Sequence, residues 1–323
     1  MLIDPQGREF KYLRLSVTDL CNYKCNYCLP DGFGCETKPH KLNLNQIEAI
    51  VASFARNGIE KVRITGGEPT LHRDLVEIIR LIKQVPGIKK VALTTNGYRM
   101  AKFLPLWKNA GLDAINISCD SLDPRMFSAI VGRDALSQLL ADLDLAISLG
   151  FKQLKVNTIL LKQFNGNQIS ELIAWAKSKP ITLRFIELMQ TLDNKAYFEA
   201  NHFSSDSVVE LLNSQNWQEV QKDVAAGPAR EFSHSAYPGR IGVIAPYSKD
   251  FCTTCNRLRV SSQGKLHLCL FGDGGYDLLP HINKDDHKEL DDAIATYLGY
   301  KTPSHSLHDG LSGTTSHLAM IGG

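Results

Sequence analysis

A chain of 323 residues with 43% hydrophobic content can bury one large core or two smaller ones. Its 36 basic and 34 acidic side chains nearly cancel, so bulk charge gives no case for a nucleic acid polymer or a membrane as partner. No apolar run approaches the ~18 residues of a membrane-spanning helix, and charged residues from Asp4 to Asp19 interrupt any signal-peptide core.

Between residue 11 and about residue 215, short β-branched runs alternate with helical patterns. Strands are predicted over 12–17, 61–65, 90–94, 114–118, 153–160 and 182–187. Helices are predicted over 45–56, 74–84, 124–149, 167–177 and 205–213, with Gly58, Gly111 and Gly150 where helix stops belong. Repeated strand–helix units make a parallel sheet through right-handed crossovers. Six are too few to close an eight-stranded barrel, so the expected fold is α/β: an open partial (βα)6 barrel over residues 1–225, with a smaller C-terminal region over 226–323. Such sheets bind ligands at the C-terminal ends of their strands.

Cysteines follow the first strand. Cys21, Cys25 and Cys28 have the spacing C-x3-C-x2-C, with no fourth cysteine at a matching interval. A closed zinc site needs four ligands, which here would require His40 or Cys35. Three thiolates alone suit a four-iron cluster with one iron open to an exogenous ligand. Eight cysteines, mostly at metal-ligand spacings and without an export signal, point to a reducing cytoplasm.

The later strands end in polar or glycine-rich groups: Gly66-Gly67-Glu68-Pro69, then Thr94-Thr95-Asn96-Gly97, Ser118-Cys119-Asp120 and Glu187-Leu188-Met189. Glycines let backbone approach a ligand, and Glu68 offers a carboxylate to an ammonium. Arg14, Arg63 and Lys155 lie within strands, where an inward cation needs an anionic partner.

After residue 225 the chain turns to glycine, proline and short strands. Cys252, Cys255 and Cys269 form C-x2-C-x13-C. Residues 257–260 and 265–268 read as a hairpin around Ser261-Ser262-Gln263-Gly264. Pairing Val260 with Lys265 sets Asn256 opposite Cys269 and brings Cys269 back beside Cys255. Zinc completed by His267 or His281 is the alternative to a second open cluster. Arg257 and Arg259 project from one strand face, Leu258 from the other, and guanidinium forks suit phosphate oxygens. Residues 302–323, rich in Ser, His, Thr and Gly, read as extended.

The spacing C-x3-C-x2-C, with Tyr27 before the last cysteine, resembles the radical S-adenosylmethionine enzymes. Matches from about Asp4 to the last residue narrow this to the GTP 3′,8-cyclase family of molybdenum-cofactor biosynthesis. The resemblance implies two 4Fe-4S clusters, on Cys21, Cys25 and Cys28 and on Cys252, Cys255 and Cys269. It implies S-adenosylmethionine bound by Tyr27, Gly66, Gly67, Glu68, Ser118 and Met189. It places GTP on Arg14, Arg63, Thr94, Lys155, Arg257, Arg259 and the main chain of Leu258. Arg257, Arg259, Gly322 and Gly323 take catalytic roles, the last two in a tail that enters the active site. The implied reaction cleaves S-adenosylmethionine to methionine and 5′-deoxyadenosine, removes the ribose 3′ hydrogen and closes the ring onto guanine carbon 8. The implied partners are an electron donor, a downstream pyranopterin-forming enzyme and a second copy of the chain.

Cys119 and Cys35 depart from the family pattern and are expected not to ligate. Two other readings stand beside the cyclase. One is a radical enzyme that modifies a peptide; the other is a zinc-binding adaptor supported by C-x2-C alone.

Overall fold

Strands buried on both faces read as continuous apolar runs, and the centre of the molecule is built from such strands. The computed structural model describes residues 1–33, 41–221, 227–272, 274–283, 286–314 and 321. The strands are β1 (Tyr12–Ser16), β2 (Lys61–Thr65), β3 (Lys90–Thr95), β4 (Ala114–Ser118), β5 (Leu154–Leu160) and β6 (Thr182–Glu187), all mutually parallel in chain order. The helices packed with them are α1 (Leu44–Arg56), α2 (Leu75–Gln84), α3 (Met100–Asn109), α4 (Pro124–Val131), α5 (Leu136–Ser148) and α6 (Ile169–Lys177). Then come α7 (Lys195–Asn201) and α8 (Asp206–Ser214). Asn43 and Gln46 close a reciprocal capping box that starts α1.

The predicted helix over 124–149 is two helices. Gly132 takes φ +71°, in the left-handed region, and its N–H closes the last turn of α4 on the Ser128 carbonyl. The start expected at residue 167 moves to Ile169, because the Asn165 side chain is committed elsewhere: it bonds the Asp120 and Ile159 carbonyls and the Leu161 N–H. α3 carries Pro105 in its interior, which blurs its helical signal.

Six further strands extend this sheet rather than making one of their own: β7 (Gln218–Val220), β8 (Arg230–Ser233), β9 (Arg240–Ile244), β10 (Arg257–Val260), β11 (Lys265–His267) and β12 (Tyr276–Asp277). The order is β12-β11-β10-β1-β2-β3-β4-β5-β6-β9-β8-β7, so the sheet stays open. β9 pairs parallel with β6, and β10 parallel with β1, covering both edges of the six-stranded unit. The division expected at 225/226 lies outside the described residues. A last helix, α9 (His287–Leu298), packs on α1.

The β10–β11 hairpin corrects the expected register by one residue. Val260 pairs with Leu266 and Arg259 with His267, which sets Cys269 opposite Arg257 rather than Asn256. Gly264, at φ +76°, takes the left-handed position of a bulged turn in which the Ser261 N–H bonds the Lys265 carbonyl. The tail is not simply extended. Leu307–Asp309 form a 3-10 turn, and Ile321 is buried beside Leu270, Phe271 and Leu307. No helix among the described residues is long and apolar enough to cross a membrane.

Candidate active site

The cysteine loop is built by its neighbours. The N–H groups of Cys28 and Leu29 both bond the Cys25 carbonyl, at 3.0 and 2.9 Å, closing a tight turn that gathers the thiols. The N–H groups of Lys24 and Asn26 anchor the loop on the end of α4 through the Val131 and Ile130 carbonyls. From the other side, the Gly67 N–H bonds the Thr18 carbonyl (2.8 Å) and the Glu68 N–H the Leu20 carbonyl (2.6 Å).

That docking is what the two glycines serve. A Cβ at Gly66 would strike the Thr18 carbonyl oxygen, and one at Gly67 the Leu20 carbonyl oxygen. The approach they permit is loop to loop, not only backbone to ligand as the sequence suggested.

Glu68 is buried and pins the same corner. Its carboxylate accepts from the Thr70 N–H (3.0 Å), the Thr95 hydroxyl (2.8 Å) and the Asn96 N–H (2.6 Å). The Thr70 hydroxyl also lies against it. Burial raises its pKa against these hydrogen bonds.

Cys21, Cys25, Cys28, Tyr27, Glu68 and Met189 line one cavity of about 180 Å³, with Gly66, Gly67, Thr94 and Ser118 on its wall. Every residue assigned to S-adenosylmethionine thus borders it. Tyr27 donates to Asp120 (2.9 Å), whose other oxygen accepts from the Ile159 N–H (2.8 Å); burial raises Asp120 to about 6. Burial also raises the Cys21 thiol to about 11 and the Cys25 thiol well above its ordinary value.

A second cavity, about 140 Å³, lies toward the N-terminal ends of the strands. Strand register creates it. Arg257, Tyr12 and Lys61 align across β10, β1 and β2, and Arg259, Arg14 and Arg63 align two residues on, on the same face. All six side chains border the cavity, as do Arg184 and the three thiols Cys252, Cys255 and Cys269. Arg63 hydrogen-bonds the Tyr12 hydroxyl and, at 3.2 Å, Thr94.

Near Cys255, burial pushes the thiol up, but Arg257 and Lys301 outweigh it and bring it below its ordinary value. Lys155 and Arg184 share the Glu231 carboxylate, so Lys155 already has an anionic partner. Leu258 is fully buried and faces away, while its strand is laddered to β1 and β11. Gly322 and Gly323 lie outside the described residues, as do Cys35 and His40. The Ile321 carbonyl accepts from Arg259 at 3.3 Å.

The two cavities share Asn157, Ile186, Met189 and Leu270, so they adjoin inside one lumen. Asn116 and Asn157 each leave a buried side-chain oxygen without a partner among the described residues. Buried amide oxygens are nearly always bonded, and these two face space where a ligand fits.

Sequence reasoning missed Tyr12, Lys61, Arg184, Asn116 and Asn157. The signal was there for the asparagines: an amide in the middle of a largely apolar strand, as in β4 and β5, is out of place.

Among the described residues no three His, Cys, Asp or Glu side chains are arranged to hold one metal ion. The cysteines of both triads are free. Neither His267 nor His281 borders the second thiol cavity, and His281 is engaged by Tyr297 and Glu289. His305 does border it, with Nε2 on the Pro246 carbonyl and Nδ1 on the Leu307 N–H. Three thiols with no fourth ligand among the described residues fit an open-sited iron–sulfur cluster at the first loop.

Comparison with known proteins places the chain among two families. Residues 15–176 match the radical SAM superfamily, and residues 181–307 match the Molybdenum Cofactor Synthesis C family. A GTP 3′,8-cyclase of Shewanella denitrificans is 48% identical over 323 residues, covering 100% of this chain and 96% of that protein. One of Vibrio cholerae is 51% identical over 328 residues, covering 99% and 97%. The crystal structure of Streptococcus suis SuiB aligns with a TM-score of 0.60 at 15% identity, covering 98% of this chain and 72% of that one, a likeness of fold.

Proposed function

Because the chain belongs to the radical SAM superfamily and, within it, to the GTP 3′,8-cyclases, we propose that its single lumen divides one reaction between its two ends. The enzyme converts GTP to the 3′,8-cyclised dihydro-GTP, the first step of molybdenum-cofactor biosynthesis, with S-adenosylmethionine and a 4Fe-4S cluster. When bound, that cluster and S-adenosylmethionine supply the electron and the hydrogen-abstracting group; the protein supplies placement and exclusion of water.

The observation that carries the assignment of ends is the contrast in lining. A three-thiol loop borders one cavity, and six cations with no carboxylate among the described residues border the other. Cys21, Cys25 and Cys28 hold the first cluster. Gly66, Gly67 and Glu68 seat the methionine end of the cofactor, with Tyr27, Ser118 and Met189 closing around it. The Glu68 carboxylate faces the cofactor's ammonium, and its bonds from Thr70, Thr95 and Asn96 hold it in place.

At the opposite end Arg14, Arg63, Arg257 and Arg259 hold the triphosphate, joined by Lys61 and Arg184. Thr94 steadies Arg63, and Lys155 acts with Glu231 as its partner. Leu258 contributes only the strand that spaces the two arginines. Cys252, Cys255 and Cys269 hold a second cluster beside the base, where Arg257 favours the thiolate a metal requires. Ile321 beside Arg259 supports a catalytic reach for Gly322 and Gly323. Ile186, Met189 and Leu270 lie between the two ends and keep water from the reacting ribose. A homodimer in the cytoplasm, an external electron donor and a pyranopterin-forming successor complete the reading.

The test is anaerobic incubation of iron-loaded protein with S-adenosylmethionine, a strong reductant and each nucleoside triphosphate in turn. GTP alone should stimulate 5′-deoxyadenosine, carrying deuterium from ribose labelled at carbon 3′. Release that ignores the nucleotide would withdraw the substrate, and label retained in the product would withdraw the reacting carbon.

A further inference from the structure

The cation cavity poses a problem of charge. Arg14, Lys61, Arg63, Arg184, Arg257 and Arg259 border about 140 Å³, and no carboxylate does among the described residues. Like charges this close repel one another, so an anionic group among them would stabilise the substrate-free fold. Glu231 serves Arg184 from the far side, together with Lys155. On the β10–β1–β2 side the group at the centre of the cations is Tyr12.

Tyr12 is 2% exposed and sits in register between Arg257 and Lys61. Its hydroxyl oxygen accepts from Arg63 Nε and is hydrogen-bonded to Arg14. The Lys61 ammonium lies 4.3 Å from its ring centre. Among the described residues the charged side chains facing it are cations, Lys61 and Arg63 from β2, Arg257 and Arg259 from β10, Arg14 from its own strand and Arg184 from β6, and the titratable thiols Cys252, Cys255 and Cys269 border the same cavity.

We propose that Tyr12 is the internal counter-ion of the phosphate cage. Its phenolate oxygen holds Arg63 and Arg14 in the substrate-free enzyme. An incoming triphosphate takes over those guanidinium groups, and the released oxygen takes one proton from solvent. This rests on the reading of the cavity as the triphosphate site. The electrostatics agree with the geometry: burial pushes the Tyr12 hydroxyl up, but Arg63, Arg14 and Lys61 outweigh it and bring it down to about 6.

The sign of the linkage follows. Above that value the free enzyme carries the phenolate, and the negative phosphates return the group to its neutral form. Binding therefore takes up a proton, and affinity falls as pH rises, by up to about tenfold per unit.

The experiment is calorimetric titration of GTP into anaerobic, iron-loaded protein without S-adenosylmethionine. It uses buffers of differing ionisation enthalpy and compares the wild type with Tyr12→Phe. Near pH 7, above the Tyr12 value and below the value of about 8 to which burial lowers Lys61, the wild type should take up about one more proton per GTP than the variant, and the loss of affinity between pH 6 and pH 7 should be the wild type's alone. Ionisation of the phosphates of GTP is common to both proteins and cancels. Normal binding with equal proton counts would overturn the counter-ion role alone, with the triphosphate site intact. No binding to the wild type would overturn both. Should the variant not fold, the wild type still decides: GTP should remove a phenolate band from the ultraviolet difference spectrum, and an unchanged band refutes the role.

Discussion

The two thiol triads are made in opposite ways. Cys21, Cys25 and Cys28 sit within eight residues on one loop, gathered by backbone bonds to Cys25 itself. Cys252 and Cys255 meet Cys269 only because β10 and β11 pair and turn the chain back. Their surroundings differ as much. The first triad lies near the buried carboxylates Glu68 and Asp120, and burial holds Cys21 and Cys25 toward the neutral thiol. The second lies among guanidinium groups that pull Cys255 toward the thiolate. One triad therefore sits beside carboxylates and the other beside cations. Local sequence suffices for the first, and long-range register is needed for the second.

The sharpest way to break this comparison is to remove one ligand from each triad. Cys25→Ala should abolish 5′-deoxyadenosine formation altogether. Cys255→Ala should leave deoxyadenosine formation measurable while cyclised product disappears. Loss of both products in both variants would show that the ends do not divide the reaction.

Next in size is Arg257→Ala. Removing a charge-assisted contact of about 1.5–3 kcal/mol should lower kcat/KM for GTP by roughly 10–100-fold, with iron content maintained. Unchanged turnover in the iron-replete variant would refute its assignment to the substrate.

Gly67→Ala tests the first end through its backbone. A methyl against the Leu20 carbonyl should destabilise the protein by about 1–3 kcal/mol and weaken S-adenosylmethionine binding before GTP binding. Thermal unfolding and separate titrations of the two ligands would show it.

Glu231→Gln should have the smallest effect, about 0.5–1.5 kcal/mol of stability at neutral pH and less if Lys155 and Arg184 relax toward solvent. Burial pushes the Glu231 carboxyl up, but Lys155 and Arg184 outweigh it and hold it below its ordinary value. The folded value lies under the unfolded one. The stabilisation is thus complete above the ordinary carboxylate range and is lost as pH falls through the depressed value. Melting curves of wild type and variant should converge on acidification; a gap that persisted would mean that the ion pair is not its source.

Much of this was legible beforehand. The strands at 61–65, 114–118 and 182–187 fall where their residue pattern places them, because buried parallel strands are apolar on both faces and end at glycine or polar loops. The first thiol triad and Gly66-Gly67-Glu68 were legible because each is one contiguous segment. The break at Gly132 was harder, since one glycine inside an amphipathic pattern is tolerated in some helices and ends others. The register of β10 and β11 slipped by one because a bulge at Gly264 adds a residue that no hydrophobic pattern records.

By itself, then, the sequence determined which chemistry the chain carries: thiols at cluster spacing, cations on strand faces and the order of strands and helices. Tertiary structure alone decided how those groups combine. Adding β9 and β10 to the two edges of the barrel set Arg257 and Arg259 in the same rungs as Tyr12, Arg14, Lys61 and Arg63. It also gave Lys155 an anionic partner from β8 and turned Leu258 away from the lumen. The reason is physical: a strand's pattern tells which residues share a face, but only pairing across the sheet tells which cations face one another and what balances them.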